Sequence, residues 1–301
     1  MQRLDFRAMG CRMTAVLDSS KHTAAVQAVP AWFEAWEQTF SRFRAQSELS
    51  QLNQRAGQWV RVSGALWDVL HLALIAARWT DGVFSPTILK ALESAGYDRT
   101  FEAIQEDRQP GAPQPDGQWR AIQRQSLKRS ICLPPHTQID LGGIVKGWSA
   151  ERAARRLGEY GPALIDAGGD VAVSGPRQDG TPWPIGVLDP FQPDRHFETL
   201  KVSRGGVATS GKDYRRWRRD GMWQHHLIDP RTGQPASTDV LCVTVIAPSV
   251  VEAEVAAKVV AISGSETGLA WLEEQPDYAA VLVREDGGAV YSARMEQYLW
   301  S

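Results

Sequence analysis

Apolar residues recur along the chain with two different spacings, and the spacings mark out its elements. At helical spacing stand Trp32, Phe33, Trp36, Phe40 and Phe43, with Glu34, Glu37 and Gln38 on the other side. Residues three and four apart share a helix face, so this stripe predicts a helix with its aromatic side in a core. A second helix is expected through Leu66, Val69, Leu70, Ala73, Leu74 and Ala77, capped by Ser63 and stopped by Gly82. A third is expected to open at Phe84-Ser85-Pro86-Thr87, with proline in its first turn. Ser249 followed by Glu252 is a capping box, so another helix begins there. Short apolar or alternating runs predict strands at 12–17, 127–133, 163–166, 170–174, 184–188, 198–202, 224–228, 240–247, 279–283 and 289–292. The stretch 108–118, with three prolines, two glycines and no apolar period, reads as a surface loop. Many strands with helices grouped in blocks, not a regular βαβ alternation, predict an α+β fold. No repeat, low-complexity stretch or linker interrupts the chain, so residues 1–301 are expected to form one domain.

Composition narrows the partners more than the fold. With 43% hydrophobic and 23% charged residues, the chain is globular with a substantial core. A net charge of −2 gives no electrostatic reason to expect nucleic acid or an anionic membrane as partner. Cys11, Cys132 and Cys242 lie far apart among apolar neighbours, without metal-ligand spacing, and read as buried free thiols. The stretch Met1-Gln2-Arg3-Leu4-Asp5-Phe6 lacks the charged-then-apolar layout of a signal peptide. No apolar run approaches the ~20 residues needed to span a bilayer. A cytoplasmic protein without membrane insertion is expected.

Candidate chemistry concentrates in four polar, glycine-bearing turns between apolar runs. The first is Ile139-Asp140-Leu141-Gly142-Gly143-Ile144-Val145-Lys146-Gly147-Trp148, which reads as strand, turn and helix. Free N–H groups and the dipole at such a helix start suit a phosphate, and Lys146 adds a mobile ammonium. Asp140 has two open roles, capping the helix or meeting a ligand. The second turn is Ala163-Leu164-Ile165-Asp166-Ala167-Gly168-Gly169-Asp170, and the third is Thr209-Ser210-Gly211-Lys212-Asp213-Tyr214. The fourth, His226-Leu227-Ile228-Asp229-Pro230-Arg231-Thr232-Gly233, is mostly a turn signal in its second half. His226 can move a proton near neutral pH, although a histidine at a strand end is more often a satisfied polar residue. Arg215, Arg216, Arg218 and Arg219 read as a solvated basic hairpin tip, with docking of an acidic protein as the sharper alternative. Four such turns suggest loops converging on one large ligand.

These residues, in this order, resemble the ApbE family, the FAD:protein FMN transferases. The signatures D-L-G-G-I-x-K-G, at 140–147, and H-I-I-D-P-x-T-G, met at 226–233 with Leu227 in place of the first Ile, carry the resemblance. It runs from Ala8-Met9-Gly10 to Tyr291-Ser292 and Tyr298-Leu299. It implies a single ApbE-type, T-fold-like α+β domain, with antiparallel sheets and helices around an FAD cleft. It also implies transfer of FMN from FAD to a Ser or Thr hydroxyl of an acceptor protein, with AMP released and Mg2+ neutralising the diphosphate. The residues it places at the flavin nucleotide are Met9, Gly10, Phe43, Ser85, Thr87, Asp140, Lys146, Ala167, Gly168, Gly169, Thr209, Ser210 and Gly211. Thr209-Ser210-Gly211 is expected as a turn beside FAD. Ser85 stands where the family usually has Asp. His226 is the histidine linked with transfer, and the carbonyl of Ala167 is implied as a metal contact.

On the Ser249 helix the chain departs from the family pattern A-D-x-x-A-T, in which Asp and Thr bind Mg2+. Ala253 matches, but Glu254 stands at the Asp position and Lys258 at the Thr position. Glutamate remains a hard oxygen ligand; a protonated lysine cannot ligate. Three outcomes are open: a plain i,i+4 ion pair, Lys258 in place of the metal, or Mg2+ held through Glu254 and Ala167 with Lys258 aside. Glu254 and Lys258 therefore join His226 as candidates for the chemistry. The alternative function is an FAD-binding protein without transferase activity, a flavin carrier or scavenger. No G-x-G-x-x-G lies between a strand and a helix, so nothing points to a Rossmann oxidoreductase.

Overall fold

The computed structural model describes residues 1–106, 112–115, 117–192 and 194–300; residues 108–111 and 116 of the expected surface loop lie outside the described residues. Its contacts form two compact units. The first is Met1–Glu34, Lys146–Asp213 and Thr238–Ser301; the second is Ala35–Val145 and Tyr214–Ser237.

In the first unit, eight strands of the described residues form one sheet. They are β1 (Gln2–Ala8), β2 (Cys11–Leu17), β3 (Ala163–Ala167), β4 (Val171–Val173), β5 (Gly206–Gly211), β6 (Val240–Ala247), β7 (Ala279–Arg284) and β8 (Ala289–Tyr291). Their order in the sheet is their order in the chain, and every neighbouring pair is antiparallel. Met9 and Gly10 join β1 to β2 with φ of 51° and 68°, the two positive values a two-residue hairpin turn demands. A separate hairpin, Trp183–Leu188 with His196–Val202, buries Trp183, Ile185, Leu200 and Val202 in one cluster with Val171, Val207, Ile246 and Met295.

Two helices of this unit matter for function: α1 (Val145–Gly158) and α2 (Val250–Ser263). Ser249 caps α2 as the capping box predicts, its Oγ accepting the Glu252 N–H at 3.1 Å and donating to Glu252 Oε2 at 2.8 Å. α2 packs on β5 and β6 and on the helix Ser265–Glu273. That explains why it is apolar nearly all round, with Val250, Val255, Val259 and Ile262 all buried. Close approach depends on glycine at Gly206, where a Cβ would fall 2.5 Å from Val250 Cα.

The second unit holds the helices Glu48–Gln54, Gly64–Trp79 and Leu89–Ser94, and a small sheet of Trp59–Arg61, Ser130–Cys132 and Gln123–Gln125. Its core joins Ala91, Leu92, Ala95 and Tyr97 to Trp217 and Ile228 from the later segment. Trp217 Nε1 donates to Ala95 O at 2.8 Å. The basic stretch forms the hairpin Arg216–Arg219 with Met222–His225, where Arg216 and Arg218 stack over Trp223.

The α+β class holds, and the aromatic stripe buries Phe33, Trp36 and Phe40 on the helix Val29–Phe40. Local expectations needed correction. The third helix begins only at Leu89, because Ser85 and Thr87 form a turn of their own, the Thr87 N–H donating to Ser85 Oγ at 3.2 Å. The strand expected at 127–133 shrinks to Ser130–Cys132, because Arg129 takes φ 45° after a 3-10 turn at Ser126–Lys128. The run 224–228 is two strands with a bend at His226. Of the three thiols, Cys242 is buried, whereas Cys11 and Cys132 are half-buried.

Candidate functional site

The expected site residues fall into two groups, one in each unit. In the first unit they gather around a charged cluster. Lys146, in the first turn of α1, pairs with Asp170 Oδ2 at the end of the Gly168-Gly169 turn and lies 3.9 Å from Glu254 Oε1 on α2. Lys258, one turn further along α2, donates to Glu254 Oε1 and to the Glu254 carbonyl, both at 3.3 Å. The other oxygen, Glu254 Oε2, accepts the Gly147 N–H at 2.9 Å. That N–H belongs to the first turn of α1, which has no intrahelical acceptor for it, so Glu254 caps α1 from a neighbouring helix. Glycine is needed at 147, since a Cβ there would stand 2.8 Å from Glu254 Oε2.

The two carboxylate side chains are 1% exposed, while Lys146 and Lys258 keep 17% and 15% of their surface. The cluster is thus anionic within and cationic outside. Burial pushes Asp170 up to about 6, with Lys146 opposing the rise and Glu254 adding to it. Burial alone would depress Lys146, yet Asp170 and Glu254 hold it above the ordinary lysine value. Asp166 is raised by burial, partly offset by the N–H groups of Gly169 and Gly168.

Around this cluster lie the glycine turns. Gly168, at φ 72°, stands so close to Cys11 that a Cβ would meet its Cβ at 2.9 Å. The Met9-Gly10 turn directly precedes Cys11, and Met13 pairs with Ala167. Gly169 lies beside Thr209. Thr209-Ser210-Gly211 is not the expected turn. It is part of β5, with Thr209 opposite Thr244 and Gly211 opposite Cys242, and the two threonine hydroxyls hydrogen-bond at 2.8 Å. Pairing with β6 makes a strand of these small polar residues, while β4 pairs only with Gly206 and Val207 at the start of β5.

In the second unit, Asp140 holds a turn instead of capping the helix. Its Oδ1 accepts the Gly142 N–H at 2.8 Å, fixing the Gly142-Gly143 turn, and its Oδ2 pairs with Arg42 Nε at 3.0 Å. Arg42 stacks over Phe43 and Tyr97 at 4.1 and 4.6 Å. The Ser85–Thr87 turn joins the same group, with the Asp140 N–H donating to Pro86 O at 2.8 Å. His226 is half-buried at its bend, while His225 Nε2 lies 3.1 Å from Ala236 O. Asp229 holds its turn as expected, accepting the Arg231 N–H at 2.9 Å and a forked contact from its guanidinium.

Asp170 and Arg42 are not legible as site residues from the sequence. Asp170 looks like one more turn residue, and only the run Val171-Ala172-Val173 behind it hints that its carboxylate starts a buried strand. Nothing in the sequence pairs Arg42 with Asp140, 98 positions away.

The residues present do not fit the implied divalent ion. Magnesium wants about six oxygens in octahedral array. Both oxygens of Glu254 and one of Asp170 already receive N–H donors, most of them cationic. Among the described residues no group of three or more His, Cys, Asp and Glu is placed to hold a metal ion.

Comparison with known proteins decides the family. The ApbE family profile matches residues 9–282. The chain belongs to the ApbE family. Among relatives of this ApbE chain, the FAD:protein FMN transferase of Treponema pallidum is 30% identical over 291 residues, covering 87% of this chain and 78% of the relative. That of Klebsiella pneumoniae strain 342 is 29% identical over 312 residues, covering 96% and 83%. The crystal structure of the ApbE protein from Thermotoga maritima superposes with a TM-score of 0.87 at 26% identity, over 100% of this ApbE chain and 99% of the other. Pseudomonas stutzeri flavinyl transferase ApbE in apo form, at TM-score 0.82 and 22% identity over 99% and 97%, shares the fold. No helix of the described residues is long and apolar enough to cross a membrane.

Proposed function

We propose that this ApbE chain transfers FMN from FAD to a Ser or Thr hydroxyl of an acceptor protein. The observation that carries the reading is agreement over 87% and 96% of the chain with relatives named FAD:protein FMN transferase. In the transfer the acceptor oxygen bonds to the FMN phosphorus and the phosphorus–oxygen bond to AMP breaks. AMP leaves with that electron pair, and the hydroxyl gives its proton to a base. His226 takes that proton, a task suited to imidazole near neutral pH. Lys146 and Lys258 offset the charge that grows on the leaving phosphate, the main means by which proteins speed phosphoryl transfer. Asp170 and Glu254 hold both ammoniums in place. Met9, Gly10, Gly168 and Gly169 give the nucleotide close access to backbone, and Ala167, Thr209, Ser210 and Gly211 flank it. Phe43, Ser85, Thr87 and Asp140 serve the flavin end.

The test is intact-protein mass spectrometry of Ser/Thr acceptor proteins incubated with this chain and FAD. A gain of one FMN, lost when the acceptor residue becomes Ala, is the expected result. His226→Ala should slow the gain by about 100-fold or more, the usual worth of a general base, with FAD affinity unchanged. FAD bound without any gain across several acceptors would replace this reading with a flavin-holding protein.

A further inference from the structure

We infer that the ammonium of Lys258 is a built-in substitute for a divalent cation, so that this chain binds the diphosphate of its nucleotide without metal. The inference rests on FAD being the substrate, and it goes further by naming what neutralises the diphosphate.

The cluster is complete in charge without an ion. Two ammoniums, Lys146 and Lys258, face two carboxylates, Asp170 and Glu254. A divalent ion entering here would add two positive charges within a few ångströms of both lysines. Such repulsion is strong at a site shielded from water. It would also have to displace donors already in place: the Gly147 N–H from Glu254 Oε2 and Lys258 from Oε1.

What the cluster offers instead is a pair of fixed cations. Lys258 carries three N–H donors, and its two acceptors among the described residues both belong to Glu254. At least one donor is left for a ligand. The carboxylates are buried to 1% exposure, but Lys146 and Lys258 keep 17% and 15%, so the accessible side is cationic. Glu254 is itself fixed by the Gly147 N–H, and through Oε1 it holds the Lys258 ammonium. A bare lysine on a helix would swing; this one is held. Two anchored ammoniums suit two neighbouring phosphate groups better than one, which points to a diphosphate and not a monophosphate.

Calorimetric titration of the full chain with FAD, once in chelator and once in Mg2+, reads this directly. Equal affinity in the two conditions, within about twofold, is expected. Titration with FMN in chelator should be weaker by about tenfold or more, a difference of ~1.4 kcal/mol. Lys258→Met should weaken FAD binding in chelator by about tenfold, and Lys258→Arg should restore most of it, which separates lost charge from a damaged fold. Paramagnetic Mn2+ gives a second readout: its resonance should stay that of free ion with the native chain and broaden only with the Glu254→Asp, Lys258→Thr double variant. FAD binding that needs Mg2+, or Mn2+ held by the native chain, overturns the metal-free site while leaving the transferase reading intact. FAD that fails to bind under either condition overturns both.

Discussion

Glu254 is surrounded by donors from two helices, and that makes single residues decisive here. Removing its charge leaves Lys146 and Lys258 with only Asp170 between them. Breaking one side of a buried pair costs about 3–5 kcal/mol because the remaining charge stays buried, so Glu254→Gln should lower the melting temperature well beyond a typical surface change. Asp170 adds a pH signature. Its folded value of about 6 lies above the ~3.9 of an unfolded aspartate, so between these values the native state holds more protons. Its contribution to stability is therefore present at the acid end of that window and lost as pH rises through 6. Asp170→Asn deletes this contribution, and the slope of stability against pH from 4 to 6 should become more positive, by up to ~1.4 kcal/mol per pH unit. Thermal melts of both proteins across that range would contradict the assignment if the two slopes matched. Cys242 follows the same physics in another group. Burial pushes its thiol up to about 12, so brief alkylation of the native protein at pH 8 should leave it unmodified, with labelling there only after unfolding.

At the level of elements, the crossing of α1 and α2 is set by a glycine in one helix and a glutamate in the other. Replacing glycine by alanine inside an ordinary helix stabilises it by about 1 kcal/mol. At Gly147 the sign should reverse, because the added Cβ would stand 2.8 Å from Glu254 Oε2 and 3.1 Å from the Val250 carbonyl. Overpacking of this kind costs about 1–3 kcal/mol, and the displaced Glu254 would release Lys258. Gly147→Ala is thus expected to melt earlier and to bind FAD more weakly; a variant that melts later would refute the close crossing. Sequence reading reached this helix pair only in part. The capping box at Ser249 and the glycine turn before α1 were legible because both are local signals. That Glu254 reaches across to α1 was not, since it depends on which helices pack together. β5 was missed for a related reason: Thr209-Ser210-Gly211 has the composition of a turn, and only its pairing with β6, distant in sequence, makes it extended. The N-terminal strand Gln2–Ala8 escaped as well. With polar residues alternating through it, it has too little apolar signal of its own and takes its form from β2.

Over the whole molecule, the chain passes between its two units at four points in sequence, so neither is a continuous stretch. The second unit depends on its late segment, Tyr214–Ser237, returning to the helices of Ala35–Val145. Trp217 is the pin. It is 6% exposed, packs its ring 5.4 Å from that of Tyr97 and donates to Ala95 O at 2.8 Å. The same segment carries His226, so its attachment and the placement of the proposed base are one problem. Truncating a buried tryptophan to alanine costs about 3–5 kcal/mol, and here it also leaves the Ala95 carbonyl without its donor. The first unit has its own core, around Trp183, Leu200, Ile246 and Met295, which contains no residue of the second. Trp217→Ala should therefore raise amide exchange throughout 35–106 and 214–237 while β3, β5, β6 and α2 keep their protection. Transfer should fall with it, and FAD binding at the lysine cluster less so. Exchange that rose equally in both units would mean that they open as one, and Trp217 would then be an ordinary core residue and not the pin of a separate unit.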